Sequence, residues 1–99
     1  MISRQWRGLA HASRAGDYVE HLRKLTFPQV RRIPGFVDAS ILQRNMDPGV
    51  EFLVVTRWAS MAAIREFAGN NAMGAVVPPE VRAMMIEYDK TVRHYEVID

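Results

Sequence analysis

Glu51 to Trp58 reads Glu-Phe-Leu-Val-Val-Thr-Arg-Trp, a run rich in β-branched and aromatic residues with no turn former inside it. That composition describes a strand. Side chains alternate along a strand, so Phe52, Val54, Thr56 and Trp58 share one face while Leu53 and Val55 lie on the other, with Glu51 and Arg57 nearer the rims. A sheet face that meets water carries polar residues, and a strand apolar on both sides needs a cover on each. The chain's own helices supply one cover. A partner chain, a bound ligand, or both must supply the other, because 99 residues form one domain, residues 1–99, with little material for a full layer on each side of a sheet. Self-association relieves that shortage.

A hydrophobic content of 48% with 24% charged residues is that of a soluble globular protein and argues against disorder. The formal charge is only +2, although the sequence pI is about 9.4. With no cysteine, few groups titrate between the carboxylates and tyrosine, so a small excess of arginine lifts the pI without making a strongly cationic surface. Nucleic acid and membrane surfaces are therefore not expected partners. The absence of cysteine excludes disulfides, thiolate chemistry and zinc-thiolate sites together. No apolar run is long enough to span a bilayer, and the Met1 end has a strand pattern in place of a signal sequence, so a cytoplasmic protein is expected.

Ile2, Trp6 and Ala10 alternate with polar positions, which predicts a first strand with one partly apolar face, and Gly8 within it invites a bulge or a close backbone approach. Asp17 and Glu20 resemble a capping box, although the helix can also begin at Ser13. Tyr18, Val19, Leu22, Leu25 and Val30 form the stripe of a first helix running to about Arg32, which Pro28 should kink or split. Ile33-Pro34-Gly35-Phe36 stops the helix and restarts the chain as a second strand, Phe36 to Arg44. The turn chemistry of Asn45 to Gly49 predicts a hairpin into the third strand. Ser60 caps a short helix with Ala63, Ile64, Phe67 and Ala68 inward, and Gly69 ends it. Pro78-Pro79-Glu80 open a further helix with Val81, Met84, Met85 and Tyr88 inward, and Thr91 to Ile98 form the last strand.

The order strand, helix, strand, strand, helix with an appended helix, strand is the ferredoxin-like βαββαβ arrangement of the α+β class, a four-stranded antiparallel sheet with helices on one face. Its first and third strands lie at the centre, in agreement with the apolar Glu51 to Trp58 run. Two such sheets packed face to face would close the uncovered side.

Element order, Ile33-Pro34-Gly35-Phe36, the third strand ending in Trp58-Ala59-Ser60, the helix Ala63 to Gly69 and the terminal His94-Tyr95-Glu96-Val97 resemble the antibiotic biosynthesis monooxygenase domain family over nearly the whole chain. The resemblance implies a homodimeric α/β barrel with a pocket in each subunit between sheet and helices. Some members oxygenate aromatic polyketides without metal or organic cofactor, and others degrade haem. The haem-degrading branch uses an asparagine, a tryptophan and an axial histidine at places that hold Arg7, Phe67 and Val77 here. Without an imidazole at Val77 the iron has no ligand on that segment, so haem degradation is disfavoured.

Cofactor-free oxygenation requires a substrate able to form a carbanion or phenolate, a base or hydrogen-bond network, and a dry apolar pocket. His94 and Arg7 are the candidate catalytic groups, with Trp6, Arg57, Trp58 and Tyr95 as candidate substrate-binding residues. They cannot all share a site: His94 and Glu96 point one way along the last strand and Tyr95 the other. Core packing is the competing role for Trp6, Trp58 and Tyr95, and a structural or interface role for His94. His11 and His21 suit solvated positions. The third strand has aliphatics where an RNA-recognition sheet needs stacking aromatics, and no histidine and carboxylate cluster has metal-ligand spacing. The expected function is oxygenation of a small aromatic or quinone-like molecule in a sheet and helix pocket without a cofactor. The alternative is a non-catalytic homodimer that binds a small ligand or supports assembly.

Overall fold

A computed structural model describes all residues, Met1–Asp99. β1 (Ile2–His11) leads through a short 3-10 turn into α1 (Ala15–His21), a π-helical turn (Leu22–Thr26) and α2 (Phe27–Val30), which continue one another. β2 (Phe36–Met46) and β3 (Gly49–Trp58) form the hairpin, followed by α3 (Met61–Ala68), α4 (Pro79–Arg82), β4 (Met85–Tyr88) and β5 (Arg93–Glu96). The sheet is antiparallel with the order β2, β3, β1, β4, and β5 also pairs with β1. β1 and β3 are central, and the fold is the α+β, ferredoxin-like one.

The fourth place in the sheet is shared by two short strands, where the sequence pattern predicted one strand from Thr91 and a helix reaching Tyr88. The helix is only four residues long, Pro79–Arg82, and Met85–Tyr88 is strand. The reason is the open edge of β1. Its backbone groups need partners, and satisfying them outweighs a short helical periodicity. Ile86 and Glu87 together face Leu9 through a register shift, which returns Met85 and Tyr88 to the same side and makes helical spacing out of a bulged strand.

Pro28 does not end the first helix, but a π-helical turn divides α1 from α2 just before it. A proline lacks an N–H and its ring clashes with the carbonyl four residues earlier. The chain meets that constraint by widening the turn before it: the Phe27 N–H donates to the Leu22 carbonyl, five residues back. The second helix follows the expected pattern. The Ser60 hydroxyl accepts from the Ala63 N–H at 3.2 Å, and Gly69 closes the helix at φ 80°.

Helices cover the face carrying Phe52, Trp58, Val50 and Ala10, and Phe52, Trp58, Ile64 and Val30 are fully enclosed in the core. A Cβ on Gly8 would stand 2.4 Å from the Trp6 ring and 3.0 Å from Met85 Sδ, so the absence of a side chain there lets the indole lie across β1. The opposite face of the sheet carries Leu53, Val55, half-exposed Leu42 and Tyr95, and the ion pairs of Arg7 with Glu51 and of Arg57 with Asp38. No helix of the chain is long and apolar enough to cross a membrane.

Candidate functional site

Strand alternation decides which side chains can meet. Arg4 and Trp6 on β1 lie opposite Thr56 and Val54 on β3, so all four rise from the helix-covered face. They floor a cavity of about 290 Å³. Tyr18, Leu22, Thr26, Phe27 and Val30 roof it, Phe67 and Val92 wall it, and the exposed Leu25, Gln29, Val76 and Glu80 stand at its rim with His21 and Pro78. The π-helical turn contributes Leu22, Leu25 and Thr26, so the irregularity that accommodates Pro28 also shapes the roof. Most of the lining is apolar.

Two aromatic groups brace it. Trp6, Tyr18 and Phe52 form one, with ring centroids 5.9 Å and 5.0 Å apart, and the Trp6 indole Nε1 donates to the Asp89 carbonyl at 2.8 Å. Phe36, Trp58 and Phe67 form the other, with centroids 5.2 Å and 6.1 Å apart. Trp58 is wholly buried, and its Nε1 donates to Thr56 Oγ1 at 2.8 Å, a bond in which the threonine hydroxyl accepts and keeps its own hydrogen.

Arg4 is the charge at the bottom of the cavity. Its residue is only 5% exposed, and its guanidinium donates to the carbonyls of Ala72 (2.5 Å) and Gly74 (3.0 Å) and to His94 Nε2 (3.0 Å), with the Phe67 ring 5.8 Å away. Burial lowers its pKa to about 10, which leaves it cationic at neutral pH. None of the chain's ion pairs includes it. Burial and, second, the Arg4 charge push the His94 pKa down, so the imidazole is neutral and accepts through Nε2. Burial raises the pKa of Tyr18 well above its ordinary value, so its phenol stays protonated.

The residues singled out in the sequence separate by strand parity. Trp6 lines the cavity, and His94 reaches it through Arg4. Trp58 lies behind the lining, within the core. Arg7, Arg57 and Tyr95 emerge from the opposite sheet face: Arg7 Nε pairs with Glu51 at 2.6 Å, Arg57 with Asp38 at 2.5 Å, and Tyr95 is half-exposed. Odd-numbered positions on β1, β3 and β5 cannot reach a cavity floored by even-numbered ones. Arg4, Tyr18 and Thr56 are the polar residues on the inner lining that sequence reasoning missed as a site, and His21, Thr26, Gln29 and Glu80 join them nearer the helices and rim. A signal existed for Arg4, since it is the one charged residue in phase with Ile2, Trp6 and Ala10.

A ferredoxin-like α+β domain with a half-open, mostly apolar cavity between sheet and helices is the class that this fold and site define. Within that class the chain belongs to the antibiotic biosynthesis monooxygenase family, whose model matches residues 2–79. Among solved structures, a variant of SnoaB, a cofactor-independent oxygenase from Streptomyces nogalater, superposes with a TM-score of 0.70 at 19% identity, covering 99% of this chain and 93% of that one. An antibiotic biosynthesis monooxygenase superposes at 0.71 with 18% identity over 100% of both chains, and a protein from Shewanella oneidensis at 0.71 with 17% identity over 95% of this chain and 87% of that one. At these identities the superpositions speak for the fold. No functionally curated protein has significant sequence similarity to the chain.

Proposed function

We propose that this protein oxygenates a small aromatic or quinone-like molecule in the cavity above Arg4 and Trp6, without a cofactor of its own. The observation that carries the reading is the half-open, mostly apolar cavity in a chain of the monooxygenase family. The cofactor-independent oxygenase from Streptomyces nogalater, which shares the fold, supports it. A dry pocket protects reactive oxygen intermediates from water and strengthens the few polar contacts within it. The balanced reaction converts an activated CH2 and O2 into a carbonyl and water. The substrate carbon loses two protons and four electrons, one oxygen atom forms the new C=O bond, and the O–O bond breaks to give water with the released protons. Trp6 is the aromatic wall, and His94 is a positioning residue that acts through Arg4.

Two copies would pair through the other sheet face, where Leu42, Leu53, Val55 and Tyr95 form an apolar patch edged by the ion pairs of Arg7 and Arg57. Oxygen uptake with a panel of dihydroxy-aromatics and anthrones tests the enzymatic reading. Consumption above background that Trp6→Ala reduces is expected. If no substrate consumes oxygen while aromatic ligands still bind, the non-catalytic ligand-binding reading replaces it.

A further inference from the structure

The cavity limits what it can hold and leaves a way out. A dry cavity of about 150 Å³ takes one benzene ring. At about 290 Å³ this one takes a flat head of roughly two rings. It is also half-open, so whatever a ligand carries beyond that head leaves through the mouth. Apolar side chains from two distant parts of the chain stand there. Leu25 projects from the π-helical turn at 54% exposure, and Val76 from the segment between α3 and α4 at 49%. One exposed aliphatic side chain is ordinary on a protein surface. These two differ from the chain's other large exposed apolar side chains in lining the cavity, so their outer surface continues its apolar wall. Arg23 and Lys24, next to Leu25, are exposed and charged, the usual chemistry of such helix positions.

Both side chains stand on backbone that is held in place. The bond from the Phe27 N–H to the Leu22 carbonyl sets the wide turn that carries Leu25. Val76 follows a segment pinned from two sides: Arg4 donates to the Ala72 and Gly74 carbonyls, and the Ala75 N–H donates to the Lys90 carbonyl at 2.9 Å. A preformed surface binds without the cost of ordering itself. Two aliphatic side chains among His21, Gln29 and Glu80 are too little for a protein partner, which covers about 800 Å² a side. They suit one narrow chain. The carboxylate of Glu80, exposed on α4, opposes an extension that carries negative charge.

We propose that the ligand is an aromatic or quinone-like head bearing a neutral hydrocarbon chain: the head fills the cavity above Trp6, and the chain leaves through the mouth across Leu25 and Val76. This rests on the reading of the cavity as the substrate site and names the class of molecule it takes. The chain takes no part in the chemistry. It adds affinity away from the reacting atoms, and it fixes the head with its unsubstituted edge toward Arg4, because the opposite orientation would force the chain into the closed end.

The test needs no turnover. 6-Ethyl-2-naphthol and 6-hexyl-2-naphthol are titrated into the full chain by calorimetry, and the ratio of their affinities on the same protein is the readout. A methylene taken fully out of water is worth about fourfold in affinity, and one lying against a rim about twofold. The four methylenes that separate the two ligands should therefore tighten binding to the wild type by about tenfold or more. Leu25→Asn combined with Val76→Asn should cut that ratio to about threefold or less, at exposed positions where substitution costs little stability. Met73→Asn, on the same segment and equally exposed but outside the cavity, should keep it. A chain of the same length ending in a carboxylate should bind no more tightly than the ethyl compound. A ratio near one in the wild type, or one that the double variant leaves intact, overturns the proposal. So does a fall in the light-scattering mass of the double variant, which would make the rim an interface between copies. Oxygen uptake by the substrate panel with a ratio near one leaves the oxygenase reading standing and removes only the chain. The full ratio without oxygen uptake by any substrate does the reverse.

Discussion

Arg4 and His94 are direct partners across the ladder of β1 and β5, and their side chains meet at 3.0 Å between Nη1 and Nε2. The arginine must donate, so the imidazole is held in the tautomer with Nε2 unprotonated. Protonating that nitrogen removes the acceptor and sets two cations against each other.

The pair gives stability a pH dependence of fixed sign. The folded-state pKa of His94 lies below the ordinary imidazole value of 6.5, so on acidification the unfolded chain takes up a proton that the folded one resists. The contribution is fully present above pH 6.5 and is lost as pH falls through that region. Urea midpoints should drop between pH 7 and pH 5, and His94→Asn should flatten the dependence. The lowered carboxylate pKa values of Asp38 and Glu51, both held by arginine hydrogen bonds, act in a more acidic window. An undiminished slope in the variant would show that His94 is not its source.

Gly8→Ala should destabilise the fold by about 1–3 kcal/mol, the usual cost of forcing extra volume into a packed site. The new methyl collides with the Trp6 ring, and Met85 closes the other side. Chemical unfolding followed by tryptophan fluorescence reads both the loss of stability and the displacement of the indole. Unchanged stability and emission would contradict this packing.

The two tryptophans should separate stability from ligand affinity. Trp58→Ala empties a fully buried position and should cost about 3–5 kcal/mol. Trp6 is half-buried and lines the cavity, so Trp6→Ala should cost less stability and more affinity for aromatic ligands. Unfolding curves and aromatic-ligand titrations on the same two variants check the contrast.

A charge in the apolar patch should dissociate the proposed dimer. Leu53→Lys places an ammonium among Leu42, Val55 and Tyr95, and light scattering should then return the mass of one chain where the wild type returns two. Arg7→Gln, on that same face, should leave the affinity of the cavity for aromatic ligands unchanged, since Arg7 and its partners Glu51 and Glu87 lie outside the cavity.

Much of the architecture was legible because it depends on periodicity and punctuation. The two-sided apolar character of Glu51 to Trp58 located a central strand, Ser60 and Gly69 bounded α3, and Asn45 to Gly49 marked the hairpin turn. The segment from Met84 to Tyr88 misled because a bulge moves a strand's inward residues from spacing two to spacing three, which a short window cannot distinguish from a helix. At Pro28 the local disturbance was legible and its form was not. Its local cost is certain, but the widened turn that absorbs it depends on the surrounding helix.

The candidate site was harder to read because parity had to be joined across strands distant in sequence. Arg7 was a candidate catalytic group, yet one position of strand separates it from the cavity face, and the arginine of β1 that lines the cavity is Arg4. Nothing near Arg4 in the sequence announces Ala72, Gly74 or His94 as its partners. By itself the sequence determined the alternation of faces, the helix stripes and the need to cover a sheet on both sides, since these follow from side-chain chemistry at fixed backbone periods. Only the tertiary structure decided that Arg4, Tyr18 and Thr56 share one cavity, because that depends on which distant strands and helices pack together.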